Sequence, residues 1–453
     1  LGLYATKKIE EQKHTNGHGR VFMFAKMTRR SFVKSAVFGL AGLKSGAAMA
    51  RTYSANEKLN IAFVGVGGQG QDNYKDMRRE NVVAVCDVDF ERGGPAYRNF
   101  EKSGQFTDFR RMMDKMHPAI DAVVISTPDH THFHPAYMAL DMGKHVYLEK
   151  PLAHSVWETR ILTELARKNK RVTQLGAQRH AFPNMRRVVE LIQKGAIGEV
   201  AEVHSWIDSE RGMVPRVPDE HPVPDTLDYE LWLGPVEHQP YDPNITPYGW
   251  RFWWDFGTGE TGNWGCHILD IPFWALDLDY PTHVSAGGPQ PHPEMTPKEF
   301  HATLDFPAKG DRSAVKLHWH QIKGGPQILR ELKVPADGNT LFIGSKGMLL
   351  CGFKNYRLLP ADKYADFEGP KPFIPESPGF RQEFINACKG DATPPTCNFD
   401  YTGPMAEAVL LANNAFRSGD EFDWDHKTMT CKNAPTAQAL VKPVFKKGWE
   451  VTV

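Results

Sequence analysis

Leu59-Asn60-Ile61-Ala62-Phe63-Val64-Gly65-Val66-Gly67-Gly68-Gln69-Gly70 reads as an apolar strand running into a glycine-rich turn. A short apolar run that stops at turn residues suits a strand covered on both faces. Residues 71–79, which follow, suit a helix, so G-x-G-x-x-G falls where strand, tight turn and helix meet. That context implies a dinucleotide, because a side chain at Gly67 would push a pyrophosphate off the helix N-terminus, where amide dipoles hold it. Gly65, Gly67, Gly68, Gln69 and Gly70 are the expected phosphate cradle. The next strand, residues 82–87, ends in Asp87, about twenty residues past the glycines. Asp87 can accept hydrogen bonds from ribose hydroxyls while its charge repels a 2′-phosphate, which favours NAD over NADP. Arg92, close by, weakens that preference.

Further strands at 122–126, 145–148 and 171–176, with a helical stretch at 135–142, predict a doubly wound parallel sheet. Ligands bind such sheets beyond the carboxyl ends of the strands. Thr127-Pro128-Asp129-His130-Thr131-His132 and Glu149-Lys150-Pro151 lie there. From Gly198 the pattern changes to short alternating segments at 199–207, 282–286, 300–306 and 314–320, which read as strands of a second sheet. No second glycine-rich loop occurs in this half. Residues 215–247 form a long loop, and Trp250-Arg251-Phe252-Trp253-Trp254-Asp255 gathers aromatics behind it. Aromatic faces beside polar groups suit carbohydrate, and equally suit core or interface packing. Trp250 and Arg251 are the substrate candidates at the loop end. Residues 401–417 read as an amphipathic helix stopped by Gly419.

Thr28-Arg29-Arg30-Ser31-Phe32-Val33-Lys34 resembles a twin-arginine export signal. The apolar stretch at 35–50 is interrupted by Lys44 and is too short for a stable membrane anchor. It ends in Ala48-Met49-Ala50, which suits cleavage near Ala50. The expectation is export, to the periplasm, by the twin-arginine translocation machinery. Met27, just ahead of the motif, is the suspected start. With 54 basic and 54 acidic residues and no basic block, the chain carries no footprint for nucleic acid. Its six cysteines show no C-x-x-C spacing, so no metal or redox motif is expected from them, and folding before export argues against a Cys388–Cys397 disulfide. His130, His132 and His134 have no nearby carboxylate or thiolate partner at metal-site spacing, and no metal is assigned there.

G-x-G-x-x-G, then T-P-x-x-x-H at Thr127 to His132, then Gly143-Lys144-His145-Val146-Tyr147-Leu148-Glu149-Lys150-Pro151 together resemble the Gfo/Idh/MocA oxidoreductases. That family is named for glucose–fructose oxidoreductase, inositol dehydrogenase and a rhizopine-catabolism protein. The resemblance runs from Leu59 to the C-terminus. It implies an α/β chain with a leader at 1–50, an NAD-binding Rossmann-type domain at 51–177, and a C-terminal α+β domain at 178–453. The second domain would hold a large, mostly antiparallel open sheet serving substrate binding and homo-oligomerisation.

The family's catalytic lysine falls on Lys150, and its acid/base histidine on His267 within Asn263-Trp264-Gly265-Cys266-His267. Asn263 stands where the family has aspartate, and Asp270 and Glu260 are the alternative acids. The resemblance also places Thr127, Pro128, His132, Glu149, Gln178 and Arg179 around the cofactor. It implies oxidation of a CH–OH group of a sugar, polyol or related carbohydrate, with NAD held tightly. The rival readings are glycoside cleavage or epimerisation through transient oxidation, and a non-catalytic dinucleotide-binding regulator. Intact Lys150 and His267, together with the export motif, speak against the last.

Overall fold

The glycine turn lies at the carboxyl end of the innermost pair of strands. In the computed structural model, which describes residues 57–452, β1 (Asn60–Val64), β2 (Asn81–Cys86), β3 (Gly104–Phe106), β4 (Ala122–Ile125), β5 (His145–Leu148) and β6 (Thr173–Leu175) form one sheet. Its order is β3-β2-β1-β4-β5-β6, and the pairs are parallel. The chain runs outward from β1 to β3, then returns to β4 on the other side of β1. This reversal opens a crevice beyond the ends of β1 and β4. The export motif, the cleavage site near Ala50 and the suspected start at Met27 lie outside the described residues.

The second sheet comprises β7 (Val200–Ile207), β8 (His283–Gly287), β9 (Phe300–Phe306), β10 (Val315–Gln321), β11 (Thr340–Gly344), β12 (Gly347–Cys351), β13 (Tyr356–Leu359), β14 (Phe422–Asp425) and β15 (Thr430–Lys432). Its order is β13-β12-β11-β7-β10-β9-β8-β14-β15. The β7–β10 pair is parallel and the others are antiparallel. Strict alternation orients it: Leu317 and Trp319 on β10 and Ala302 and Leu304 on β9 are buried, while their neighbours are half-buried or exposed. Four of these nine strands are legible from alternation; β11 to β15 are short and carry little period of their own.

One expectation about this half is corrected. The helix Phe399–Ser418 is not amphipathic in place: residues 402–416 are all buried, polar and apolar alike. It runs between the helix Val156–Asn169 of the first half and strands β8 and β9 of the second. Both faces are therefore covered, and its polar residues need partners. Glu407 finds one in Arg160, whose Nε and Nη2 donate to the carboxylate at 2.7 and 2.8 Å. Gly419, at φ +71°, closes the helix as expected. The chain also returns to the first sheet: Leu175 N donates to Cys397 O at 2.8 Å, and Gln174 Nε2 to Phe380 O at 2.9 Å. Cys388 and Cys397, like the other four cysteines, are free and buried.

Removing one partner of a buried ion pair leaves the other charge uncompensated. Glu407→Ala is expected to cost about 3–5 kcal/mol of unfolding free energy, read from urea denaturation; a loss below about 1 kcal/mol contradicts this account of the helix.

Candidate active site

The glycines are fixed by what surrounds them. Gly65 sits at φ +77°, and a Cβ there would lie 2.7 Å from the Ser126 backbone. A Cβ on Gly70 would lie 2.1 Å from the Gly65 carbonyl oxygen. The first turn of the helix Gln69–Met77 is thus pressed directly onto the end of β1. Gly67 instead lines a cavity of about 950 Å³ that follows the crevice, and the atoms nearest a Cβ there belong to Arg92, the closest at 3.2 Å. Asp87 Oδ2 accepts the amides of Val66 and Gly67 at 2.8 and 3.1 Å, and its Oδ1 accepts Asp89 N at 3.0 Å. The residue expected at the ribose also holds the loop in shape. A bare backbone at Gly67 over a cavity of this size fits a dinucleotide.

Gly65, Gly67, Gly68, Gln69, Asp87, Thr127, Pro128, Glu149, Lys150, Gln178, Arg179, Trp250, Arg251, Asn263 and His267 all line this cavity. Three expected residues do not. Gly70 is turned beneath the loop by its packing on Gly65. His132 is buried behind the wall, its Nδ1 2.7 Å from Pro151 O and its Nε2 2.8 Å from Thr127 O, so it ties the two loops together. Asp270 is fully buried, bonded to His180 Nδ1 at 2.9 Å and to the Tyr401 hydroxyl at 2.6 Å, and anchors a helix. His130 and His134 bond the carbonyls of Trp232 and Trp449, each at 2.8 Å, so the three histidines serve separate loops.

Lys150 leaves the end of β5 and donates through Nζ to both oxygens of Asn263, the carbonyl at 2.7 Å and Oδ1 at 2.9 Å. A π-helical turn, Thr261–Gly265, carries Asn263. Wider turns of this kind recur at functional sites. Asn263 Nδ2 donates to Glu260 Oε2 at 2.9 Å, and Glu260 Oε1 accepts Ser209 Oγ at 2.7 Å and the Arg211 guanidinium. Glu260 is therefore already ion-paired and reaches Lys150 only through the asparagine. Burial lowers the Lys150 pKa, and the charge of Asp129 works against that shift. Asp129 is itself buried and accepts Thr258 Oγ1 at 2.7 Å.

His267 is nearly buried, and its Nδ1 has no partner among the described residues. Burial, then the charges of Lys150 and Arg179, push its pKa well below the usual value, so the ring is neutral at neutral pH. Arg179 lies between the rings of Trp264 and Phe353, 4.6 and 4.4 Å from their centroids. Arg251 lies between those of Tyr248 and Trp250, 4.2 Å from each. Glu149 Oε1 accepts Asn73 Nδ2 and Gln178 Nε2, each at 2.9 Å. Asp129, Arg211, Tyr248 and Trp264 also line the site and were not singled out from sequence. Asp129 sits inside the motif at 127–132 and was legible; Arg211 and Tyr248 flank the long loop at 215–247 and belong to no motif.

Residues 59–177 match the oxidoreductase family with an NAD-binding Rossmann fold, Gfo/Idh/MocA, and residues 206–306 match that family's C-terminal alpha/beta domain. The chain belongs to the Gfo/Idh/MocA oxidoreductase family. Among its relatives, inositol 2-dehydrogenase 1 of Saccharopolyspora erythraea is 29% identical over 184 residues, 39% of this chain and 54% of that protein. The chain thus spans about half the length of the curated relatives it matches. The WlbA dehydrogenase from Bordetella pertussis, solved in complex with NADH and UDP-GlcNAcA, superposes with a TM-score of 0.58 at 17% identity, covering 82% of this chain and 99% of that one. The aldose-aldose oxidoreductase from Caulobacter crescentus, complexed with glycerol, gives 0.52 at 17% identity, covering 81% and 100%. At these identities the likeness is one of Gfo/Idh/MocA fold.

In this member of the Gfo/Idh/MocA family, asparagine at 263 suits its neighbours, because it donates to Glu260 while accepting from Lys150. Asn263→Asp would replace the donor to Glu260 with a second carboxylate, and that repulsion raises the folded pKa of the pair. A raised pKa gives stability that is present at low pH and lost as pH climbs through it. The variant is expected to be about 1–3 kcal/mol less stable than wild type at pH 8 and nearly equal at about pH 3.5, below the unfolded aspartate pKa, measured by denaturant titration at both; equal stability at pH 8 contradicts it.

Proposed function

We propose that this chain is an NAD-dependent oxidoreductase acting on a CH–OH group of a sugar, polyol or related carbohydrate. What carries the reading is the presence of Lys150 and His267 on the wall of the same cavity as the glycine loop. Gly65, Gly67, Gly68 and Gln69 would hold the pyrophosphate and Asp87 the ribose, and the bound nicotinamide supplies the hydride acceptor.

The remaining work falls to side chains. An ammonium has three donors, and Lys150 directs its protons to two oxygens of Asn263, leaving one for a substrate hydroxyl oxygen. There it orients the hydroxyl and stabilises negative charge as the proton departs. His267, neutral and on the wall of the cavity, accepts that proton. Arg251, its guanidinium stacked over the Trp250 ring, supplies fixed donors on the cavity wall, which suit a polyhydroxylated ring or chain. The Asp87 carboxylate disfavours a 2′-phosphate and supports NAD over NADP. The motif at 28–34 supports export of the folded chain by the twin-arginine machinery, and a chain exported after folding would carry its cofactor with it.

Reduced-nicotinamide fluorescence that appears with one of a panel of polyols and sugars supports the reading. Glycoside consumption with no lasting reduction points instead to transient redox chemistry. Lys150→Met and His267→Asn are each expected to lower turnover by about 10²–10⁴-fold with dinucleotide binding retained; activity within tenfold of wild type contradicts the roles assigned. Because the base must be unprotonated and its pKa is depressed, the acid limb of kcat/KM is expected below the usual histidine value of 6.5. A limb at or above 6.5 that disappears in His267→Asn would contradict the depressed pKa.

A further inference from the structure

A second cluster of ionisable side chains lies on the second sheet, away from the cofactor cavity. Register brings it together: β7 pairs with β10 so that Glu202 faces Lys316 and His204 faces His318, and β10 pairs with β9 so that His318 faces Thr303. These residues occupy the face opposite buried Leu317 and Trp319. None of them lines the cavity described above.

Glu202, His204 and His318 offer donor atoms that all lie within 4.8 Å of one another. Both imidazoles turn the same nitrogen to the same oxygen. His204 Nε2 is 2.9 Å from Glu202 Oε1, and His318 Nε2 is 3.4 Å from it. In a tetrahedral zinc site with bonds near 2.0–2.1 Å, neighbouring donor atoms stand about 3.3 Å apart. The two rings are stacked, with centroids 4.4 Å apart and planes at 14°.

The far nitrogens are also engaged. His204 Nδ1 lies 3.1 Å from His320 Nε2, and His318 Nδ1 lies 2.9 Å from Thr303 Oγ1. Such outer partners fix an Nδ1–H tautomer and leave the Nε2 lone pair for a metal. A neutral imidazole with its Nε2 lone pair free is the form that binds metal. The Glu202 side chain is 42% exposed and gives a cation a way in.

We propose that Glu202, His204 and His318 bind a zinc ion on this face of the sheet, with water in the fourth position and with His320 and Thr303 orienting the two imidazoles. Two imidazoles with one carboxylate suit zinc over magnesium or calcium, which prefer all-oxygen sites. The ion would clamp β7 to β10, the parallel pair within an otherwise antiparallel sheet. Parallel pairing is slightly weaker per residue, so a cross-strand clamp is well placed there.

The test uses the full chain, stripped with a chelator and titrated with zinc against a chromogenic competitor, with metal content measured after dialysis. Wild type is expected to retain one zinc per chain and to melt at a higher temperature when loaded. His318→Ala and Glu202→Gln are each expected to weaken zinc at least tenfold and to abolish the thermal shift. His320→Ala, which removes only an orienting partner, should weaken it by about 10–100-fold. Should His318→Ala fail to fold, Glu202→Gln changes one partly exposed, near-isosteric group and still decides the matter. A wild-type chain that retains no zinc, its cluster held by protons alone, overturns the proposal. So does zinc binding that survives both first-named substitutions.

Discussion

The bond from the Lys150 ammonium to both oxygens of Asn263 joins the end of the first sheet to the turn that leads into His267. Neither half of the chain holds a complete site. The first sheet supplies the glycine loop, Asp87 and the lysine; the second half supplies the asparagine, the histidine and the aromatic wall. The half-buried ammonium loses part of its hydration and needs hydrogen-bond partners in its place. Asn263 meets that need with neutral oxygens, and Asp129 contributes negative charge from nearby without a direct bond. The lysine is thus held by an uncharged partner that leaves one donor for another oxygen.

The electrostatics of the pair follow from this choice. A carboxylate at 263 would strengthen its hold on Lys150 and collide with Glu260, which Arg211 and Ser209 already engage. The amide satisfies both sides. Among the described residues His267 has no supporting anion, and burial together with two neighbouring cations keeps its ring neutral. A neutral base beside a lysine suits proton removal from a hydroxyl better than a permanently charged imidazolium would.

Much of the first half was legible because its signals are local. The run from Leu59 to Gly70 specifies strand, turn and helix within a dozen residues, and the backbone crowding around Gly65 and Gly70 is what that spacing encodes. His132 and Asp270 were harder, since both carry functional chemistry and both are satisfied by partners distant in sequence: Pro151 and Thr127 for one, His180 and Tyr401 for the other. The helix Phe399–Ser418 looked amphipathic because buried polar groups such as Glu407 read as a solvent face until Arg160 arrives from another element. Arg211 and Tyr248 reach the cavity from a loop without periodicity, so nothing local marks them.

Following a carbon-bound deuterium tests the central claim most directly. Polyols and sugars deuterated at each carbinol carbon in turn would be mixed with the full chain, and the mass of its nicotinamide cofactor recorded. Hydride removal at a site built by Lys150 and His267 predicts that one labelled position delivers its deuterium to the nicotinamide, and that Lys150→Met stops the transfer. A cofactor whose mass never changes across the panel, in protein shown to bind the dinucleotide, would contradict it.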